Sequence, residues 1–238
     1  MRPPAPRAGL LGRLFAWLGG AFFAVSLLYF LYVYFVRFGR IAATGSAAEA
    51  LAVNAGLFAV FALHHSALAR SGARRLVERL TGPELERAAY VWIASALFLF
   101  CCAAWRDVPG VVYRLPSVLH PAGWLVQAAG LGMTVAASRR LDALELAGIR
   151  QAIGGRRDVP LQTEGLYGLV RHPVYLAWVL LVFGAPQMTA TRFSFACLST
   201  AYLVIAIPFE ERSLRRLYGD AYREYQRHVR WRMIPGLY

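Results

Sequence analysis

The chain has 238 residues, of which 58% are hydrophobic, and a formal net charge of +13. Apolar runs of this length exceed what a soluble core needs and point to the bilayer. All 26 basic residues are arginines lying between the apolar runs, a pattern of membrane topology and not of a continuous nucleic-acid-binding face.

The N-terminal stretch MRPPAPRAGLLGRLFAWLGG joins a basic start to an apolar run, as a secretory signal does. The run continues past Phe30 without a convincing cleavage site, so the reading is a retained signal-anchor helix. A spanning helix takes about 20 apolar residues, and residues 14–36 meet that length. Residues 51–68, with His64 and His65 near the end, are a second segment, and residues 88–105 a third. Residues 122–137 make a short, small-residue fourth. Residues 173–188 and 193–209 form a final helical hairpin joined by a tight turn over 189–192. Pro186 and Pro208 are expected to kink or end these helices. The expected fold is all-α, a polytopic membrane helical bundle of five or six segments. Residues 1–140 form its frame, and residues 141–238 carry the chemistry.

The N-terminus, residues 70–87, residues 139–171 and the C-terminal tail hold 21 of the 26 arginines. Positive-inside bias therefore places both termini, and both feet of the hairpin at His172 and Glu210, on the cytoplasmic side. From Arg212 onward, Arg, Tyr and Glu alternate at helical spacing, which suits an amphipathic helix lying on the membrane or closing over a site. Cys101, Cys102 and Cys197 sit inside apolar runs without CxxC spacing and read as ordinary small apolar residues. His64 and His65 invite a metal or haem reading, but neighbouring helical side chains diverge by about 100°. His120 falls on the opposite side of the membrane, so a polar contact within the bundle is the expectation and no metal site is assigned. Trp105, Trp124 and Trp231 read as interfacial anchors.

Chemistry concentrates in GLYGLVRHPVYLAW and IPFEERSLRRLYGDAYREY. Charged and ring-bearing residues at the feet of a membrane hairpin suggest a site. Pro173 fits the first turn of a helix. His172 precedes it and Tyr175 shares nearly the same face. The helix N-terminus suits an anionic group, and Arg171 adds a planar donor fork. Glu210 and Glu211 point about 100° apart, so one is expected to face the site while the other pairs with an arginine such as Arg215.

The order RHPVY, apolar hairpin, EERSL, LYGDAYREY and a late proline resembles the isoprenylcysteine carboxyl methyltransferase superfamily over about residues 145–235. Its members are integral membrane enzymes that use S-adenosylmethionine. HHSALARSGARRLVERL, PELERAAYVWIASALFLF, LELAGIRQA and APQMTATRFSFACLSTAY are similar to its bacterial methanethiol S-methyltransferase branch and relatives associated with denitrification. This extends the resemblance to most of the chain and implies a bacterial inner-membrane location. It also implies cofactor contacts from Gln151, from the strip Val159, Pro160, Leu161 and Gln162, and from Tyr167. His172, Pro173, Val174 and Tyr175 match the HPxY cofactor motif, and Glu210 matches the cofactor glutamate. Ala206 stands where the prenylcysteine enzymes carry an arginine for the substrate carboxylate, which favours a small or uncharged acceptor.

Methyl transfer is a displacement that needs alignment and water exclusion more than acid–base groups. Tyr167, Tyr175, Trp178 and Glu210 suit a sulfonium cation. A thiol acceptor must fall below its ordinary pKa of about 8.5 to react as thiolate, and Arg171 is the nearest cation. Arg171 and Glu210 are thus the candidate catalytic residues. The acceptor, a small or lipid-like molecule, is expected from the bilayer and the cofactor from the cytosol. Alternatives are methylation of an isoprenylcysteine carboxylate or a lipid, an NADPH-dependent sterol-type reductase, and a non-catalytic membrane protein of nitrogen-oxide metabolism. Sterol-type reductases are longer, and the intact HPxY and EE signatures stand against a non-catalytic module.

Overall fold

The computed structural model describes residues 7–68, 71–139, 142–155 and 160–238. Backbone polar groups in a bilayer must be satisfied within the chain, and helix is the local way to do so. In chain order the elements are α1 (Leu10–Tyr32), running into a π-helical turn (Val33–Arg37), then α2 (Ala47–Leu68), α3 (Ser71–Thr81) and α4 (Glu86–Ala104). β1 (Val111–Arg114) and a 3-10 turn (Ser117–Leu119) lead into α5 (His120–Ser138), and the short α6 (Ala143–Leu146), α7 (Ile149–Ala152) and α8 (Leu166–Leu169) follow. The chain closes with α9 (Pro173–Phe183), β2 (Gln187–Thr189), α10 (Ala190–Tyr218) and α11 (Asp220–His228).

Among the described residues, four helices are long and apolar enough to cross a membrane: Leu10–Arg37, Ala47–Ser66, Glu86–Ala104 and Ala190–Tyr218. Their outward leucines, such as Leu11 at 82% exposure, would be costly in water and suit a lipid surface. α5 has 19 residues but falls short of these four in hydropathy, and α9 is strongly apolar but has only 11 residues.

Three expectations are corrected. The hairpin turn over 189–192 is instead the end of strand β2 followed at once by α10, because β2 pairs antiparallel with β1. Thr189 caps α10 by accepting a hydrogen bond from the Arg192 amide at 3.1 Å. Of the kink or end expected at Pro208, an end is excluded, since α10 continues through it for ten more residues, to Tyr218. Trp105 is not an interfacial anchor but is fully buried against Phe38, with ring centroids 6.0 Å apart.

The chain divides into two compact units. The first comprises Met1–Phe38, Ala48–Arg106 and Leu141–Asp158. In it α1 packs along α4, and Trp92 stacks on Phe22 while donating its indole N–H to the Phe15 carbonyl at 3.0 Å. The Arg37 guanidinium donates to the carbonyls of Ala103 and Trp105 at the C-terminal end of α4, at 2.7 and 2.6 Å. His65 shares a 2.7 Å hydrogen bond with the Tyr90 hydroxyl, a polar contact between α2 and α4.

The second unit comprises Gly39–Ala47, Asp107–Arg140 and Val159–Tyr238. Its closest helix pair is α5 against α9. Gly130 makes this possible, since a Cβ there would lie 2.7 Å from both the Ala177 carbonyl oxygen and the Leu181 amide nitrogen. Gln127, buried in the same seam, donates to the Leu181 carbonyl at 2.9 Å. An apolar groove of about 350 Å³ lies along this pair, lined by Tyr113, Gly123, Val126, Leu180, Phe183 and neighbours. It sits at the Phe183 end of α9, about 16 Å along the helix from His172 by the rise per residue.

Candidate active site

The candidate site is assembled within the second unit, from the start of α9, the last turns of α10 and the tail. Pro173 occupies the first turn of α9 and His172 is its N-cap, in a non-helical conformation. Ahead of them, Gly165 takes φ +62° and ψ −125°, a region that a side chain would strain, and it starts the single turn α8.

His172 and Tyr175 stack with ring centroids 5.3 Å apart at 16°. Tyr175 donates its hydroxyl to Glu210 Oε2 at 2.7 Å, and His172 Nδ1 lies 3.6 Å from the same oxygen. The Glu210 side chain remains 46% exposed, whereas His172 is buried at 6%. A half-open carboxylate therefore sits beside a flat aromatic pair, a combination suited to a soft cation with hydroxyl or amino groups.

Glu211 faces the other way, as adjacent helix positions require. It is 1% exposed, and its chief partner is Arg171, whose Nε donates to Oε1 at 2.7 Å. Arg215, the partner expected from helical spacing, is farther off at 3.8 Å. Arg171 Nη1 donates to the carbonyls of Val229 and Arg230 at 2.6 and 2.8 Å. The guanidinium read as a ligand fork is thus directed at Glu211 and the tail. The backbone amides of Arg171 and His172 also go to the tail, donating to the Trp231 and Arg232 carbonyls at 3.0 and 2.8 Å.

Of the strip ahead of α8, Leu161 packs on the cluster of Tyr222, Tyr225 and Val229, and Gln162 donates locally to the Pro160 carbonyl at 3.3 Å. Tyr225 donates its hydroxyl to the Tyr167 carbonyl at 2.6 Å, which ties α8 to α11. Burial, with the Glu210 charge second, raises the Tyr167 pKa, and burial, with Glu211 second, raises that of Tyr222. Both therefore stay neutral phenols at physiological pH. Val174 lies half-buried on the first turn of α9. Trp178 turns toward α10 and donates to Ser199 Oγ at 3.0 Å. Gln151 belongs to the first unit, where its Nε2 donates to Glu145 Oε1 at 3.0 Å. Val159 lies outside the described residues.

The sequence reading missed the tail segment 229–233 and the roles of Gln226 and Arg232. Gln226 Nε2 donates to Glu211 Oε2 at 3.0 Å, and Arg232 Nε lies 3.6 Å from that oxygen. Their one sequence signal is polar residues spaced through the tail, which any solvated helix also shows.

No family model matches the chain, and no solved structure matches it. Among curated proteins, a methanethiol S-methyltransferase of Mycobacterium tuberculosis is 36% identical over 190 residues, covering 76% of this chain and 77% of that protein. Methanethiol S-methyltransferase 2 of Bradyrhizobium diazoefficiens is 32% identical over 202 residues, 80% of this chain and 75% of that protein. A shorter match of 33% over 72 residues, 29% of this chain and 36% of the relative, is to protein-S-isoprenylcysteine O-methyltransferase B of Arabidopsis thaliana. With identity at this level over three quarters of the length, the chain belongs to the methanethiol S-methyltransferase family of membrane methyltransferases.

Proposed function

We propose that this methyltransferase uses S-adenosylmethionine to methylate a small thiol of the methanethiol type, at the cytoplasmic face of a bacterial inner membrane. The observation that carries the reading is the meeting of His172, Tyr175 and Glu210 at one corner, with Tyr175 2.7 Å from Glu210. When bound, the donor supplies a methyl carbon activated on a sulfonium. The chain's own part is to hold and align the reactants and to keep water out. Glu210 offers an exposed carboxylate held in place by Tyr175, and the His172–Tyr175 stack offers an aromatic face. Tyr167 and the strip at Pro160, Leu161 and Gln162 border the same unit's tail and complete the proposed pocket. Arg171 reaches this corner through Glu211 and not as a direct donor. Ala206, half-buried one turn before Glu210, offers no charge to an acceptor carboxylate, which favours the thiol over a prenylcysteine.

The test is methyl transfer by the purified protein in nanodiscs, with isotope-labelled S-adenosylmethionine and methanethiol. Labelled dimethyl sulfide in the headspace is the expected product. Failure to label any thiol, or labelling of a farnesylcysteine carboxylate alone, sinks the proposal. By calorimetry, Tyr175→Phe is expected to weaken donor affinity about tenfold. It removes one hydrogen bond to a charged group, worth about 1.5–3 kcal/mol, and leaves the ring stack in place. Unchanged affinity by calorimetry would show that the Tyr175–Glu210 contact does not serve the donor.

A further inference from the structure

The tail is joined to the start of α9 by a polar network that the transfer reaction does not itself require. Glu211 is its centre. Its carboxylate, 1% exposed, receives Arg171 Nε and Gln226 Nε2 and has Arg232 and Arg215 within 3.8 Å. Arg171 holds the tail by side chain and backbone together, through the carbonyls of Val229, Arg230 and Trp231. Met233, the next anchor, is buried against Val170, Leu176 and Ile207. Arg232 then stacks its guanidinium over the Tyr238 ring at 5.1 Å and donates to the Tyr238 hydroxyl. Residues 229–238 so form a strap over the joint of α9 and α10.

Two contacts of His172 lead to this network, beside its stack on Tyr175 and its approach to Glu210. Its amide donates to the Arg232 carbonyl at 2.8 Å, and its Nε2 lies 3.5 Å from Glu211 Oε1. A buried ion pair is a costly way to gain stability, because apolar residues of similar volume often serve as well. What it provides here is direction: the guanidinium's fixed fork sets the register of the strap against residues 171–172.

We infer that Glu211 is a positioning residue for the methyl-donor site, fastening the strap through Arg171 and so fixing His172, Tyr175 and the adjacent Glu210. It touches neither donor nor acceptor. This inference rests on the donor-site reading of the preceding subsection.

The experiment uses the full chain in nanodiscs, with Glu211→Gln, Glu211→Asp and the double variant Arg171→Met/Glu211→Leu. The double variant leaves no lone charge buried and decides the matter should Glu211→Gln fail to fold. Hydrogen exchange at residues 229–234, measured without ligand, is expected to quicken about tenfold in Glu211→Gln and in the double variant. Their affinity for S-adenosylmethionine is expected to fall about 10- to 100-fold, by analogy with the loss of outer-shell partners at metal sites. The KM for methanethiol should move by less than about threefold, and Glu211→Asp should restore part of the donor affinity, because the lost contacts serve the donor side. Wild-type exchange in the variants, or donor affinity within twofold of wild type, overturns the inference. Weakened donor binding with an undisturbed strap also overturns it, since Glu211 would then contact the donor itself. Wild-type protein that binds no donor although its strap loosens in the variants overturns the donor reading and leaves the fastening standing.

Discussion

Glu210→Gln is expected to reduce affinity for S-adenosylmethionine by about 10- to 100-fold, with a parallel loss of kcat/KM. The substitution keeps shape and size and removes one negative charge from the most exposed carboxylate of the site. A hydrogen bond to a charged partner is worth about 1.5–3 kcal/mol, which sets that range. The fold should not suffer. The Glu210 side chain is 46% exposed, and a glutamine carbonyl can still accept from the Tyr175 hydroxyl, now 2.7 Å from the carboxylate. The effect therefore separates binding from stability, as a deeper residue such as Glu211 would not. Isothermal calorimetry on wild type and variant, with thermal unfolding as a control, is the measurement. Equal affinities would remove the anchor on which the donor site is built. A lower unfolding midpoint with affinity unchanged would make Glu210 a structural residue.

Gly130→Leu is expected to damage the second unit severely. The first added carbon would stand 2.7 Å from the Ala177 carbonyl oxygen and from the Leu181 amide nitrogen. Both are main-chain atoms of α9, so no side chain can swing away, and the helices must separate. Overpacking of this kind costs about 1–3 kcal/mol and at times more, and here it would also displace Gln127 from its bond to the Leu181 carbonyl. Since α9 carries His172 and Tyr175 at its other end, activity should fall together with stability. Gly132, two residues on, has open space around its added carbon, and Gly132→Leu should leave both nearly unchanged. Thermal unfolding in nanodiscs and the methyl-transfer assay read the pair. Equal behaviour of the two variants would show that the α5–α9 packing is not tight.

Much of the architecture was open to reading because hydrophobicity along a membrane segment is a local property. The segments expected at 14–36, 51–68 and 88–105 appear as α1 with its π turn, α2 and α4, each shifted by a few residues. The feet of the last pair, proposed here as the site, stand out in the same way, since polar groups beside long apolar runs are visible without any knowledge of packing. Helix ends were harder. Pro208 lies inside α10 because the flanking turns continue on either side, a balance that no single residue states. The turn at 189–192 was misjudged because strand β2 exists only through its pairing with β1, some 75 residues earlier in the chain.

Read without any fold, the chain shows that it is a helical membrane protein, which residues (His172, Tyr175 and Glu210) are candidates for its chemistry, and which superfamily it resembles. Those properties sit in composition, spacing and ordered motifs. That Arg171 turns to Glu211 and the tail, and that residues 229–233 lie across the start of α9, emerges only on folding. The cause is the separation of the partners: Arg171 lies 40 residues or more before Glu211 and Arg230 in the chain, and a pair of that kind is set by distance in space. With 26 arginines available, no local pattern could have named Arg171 as the chief partner of Glu211.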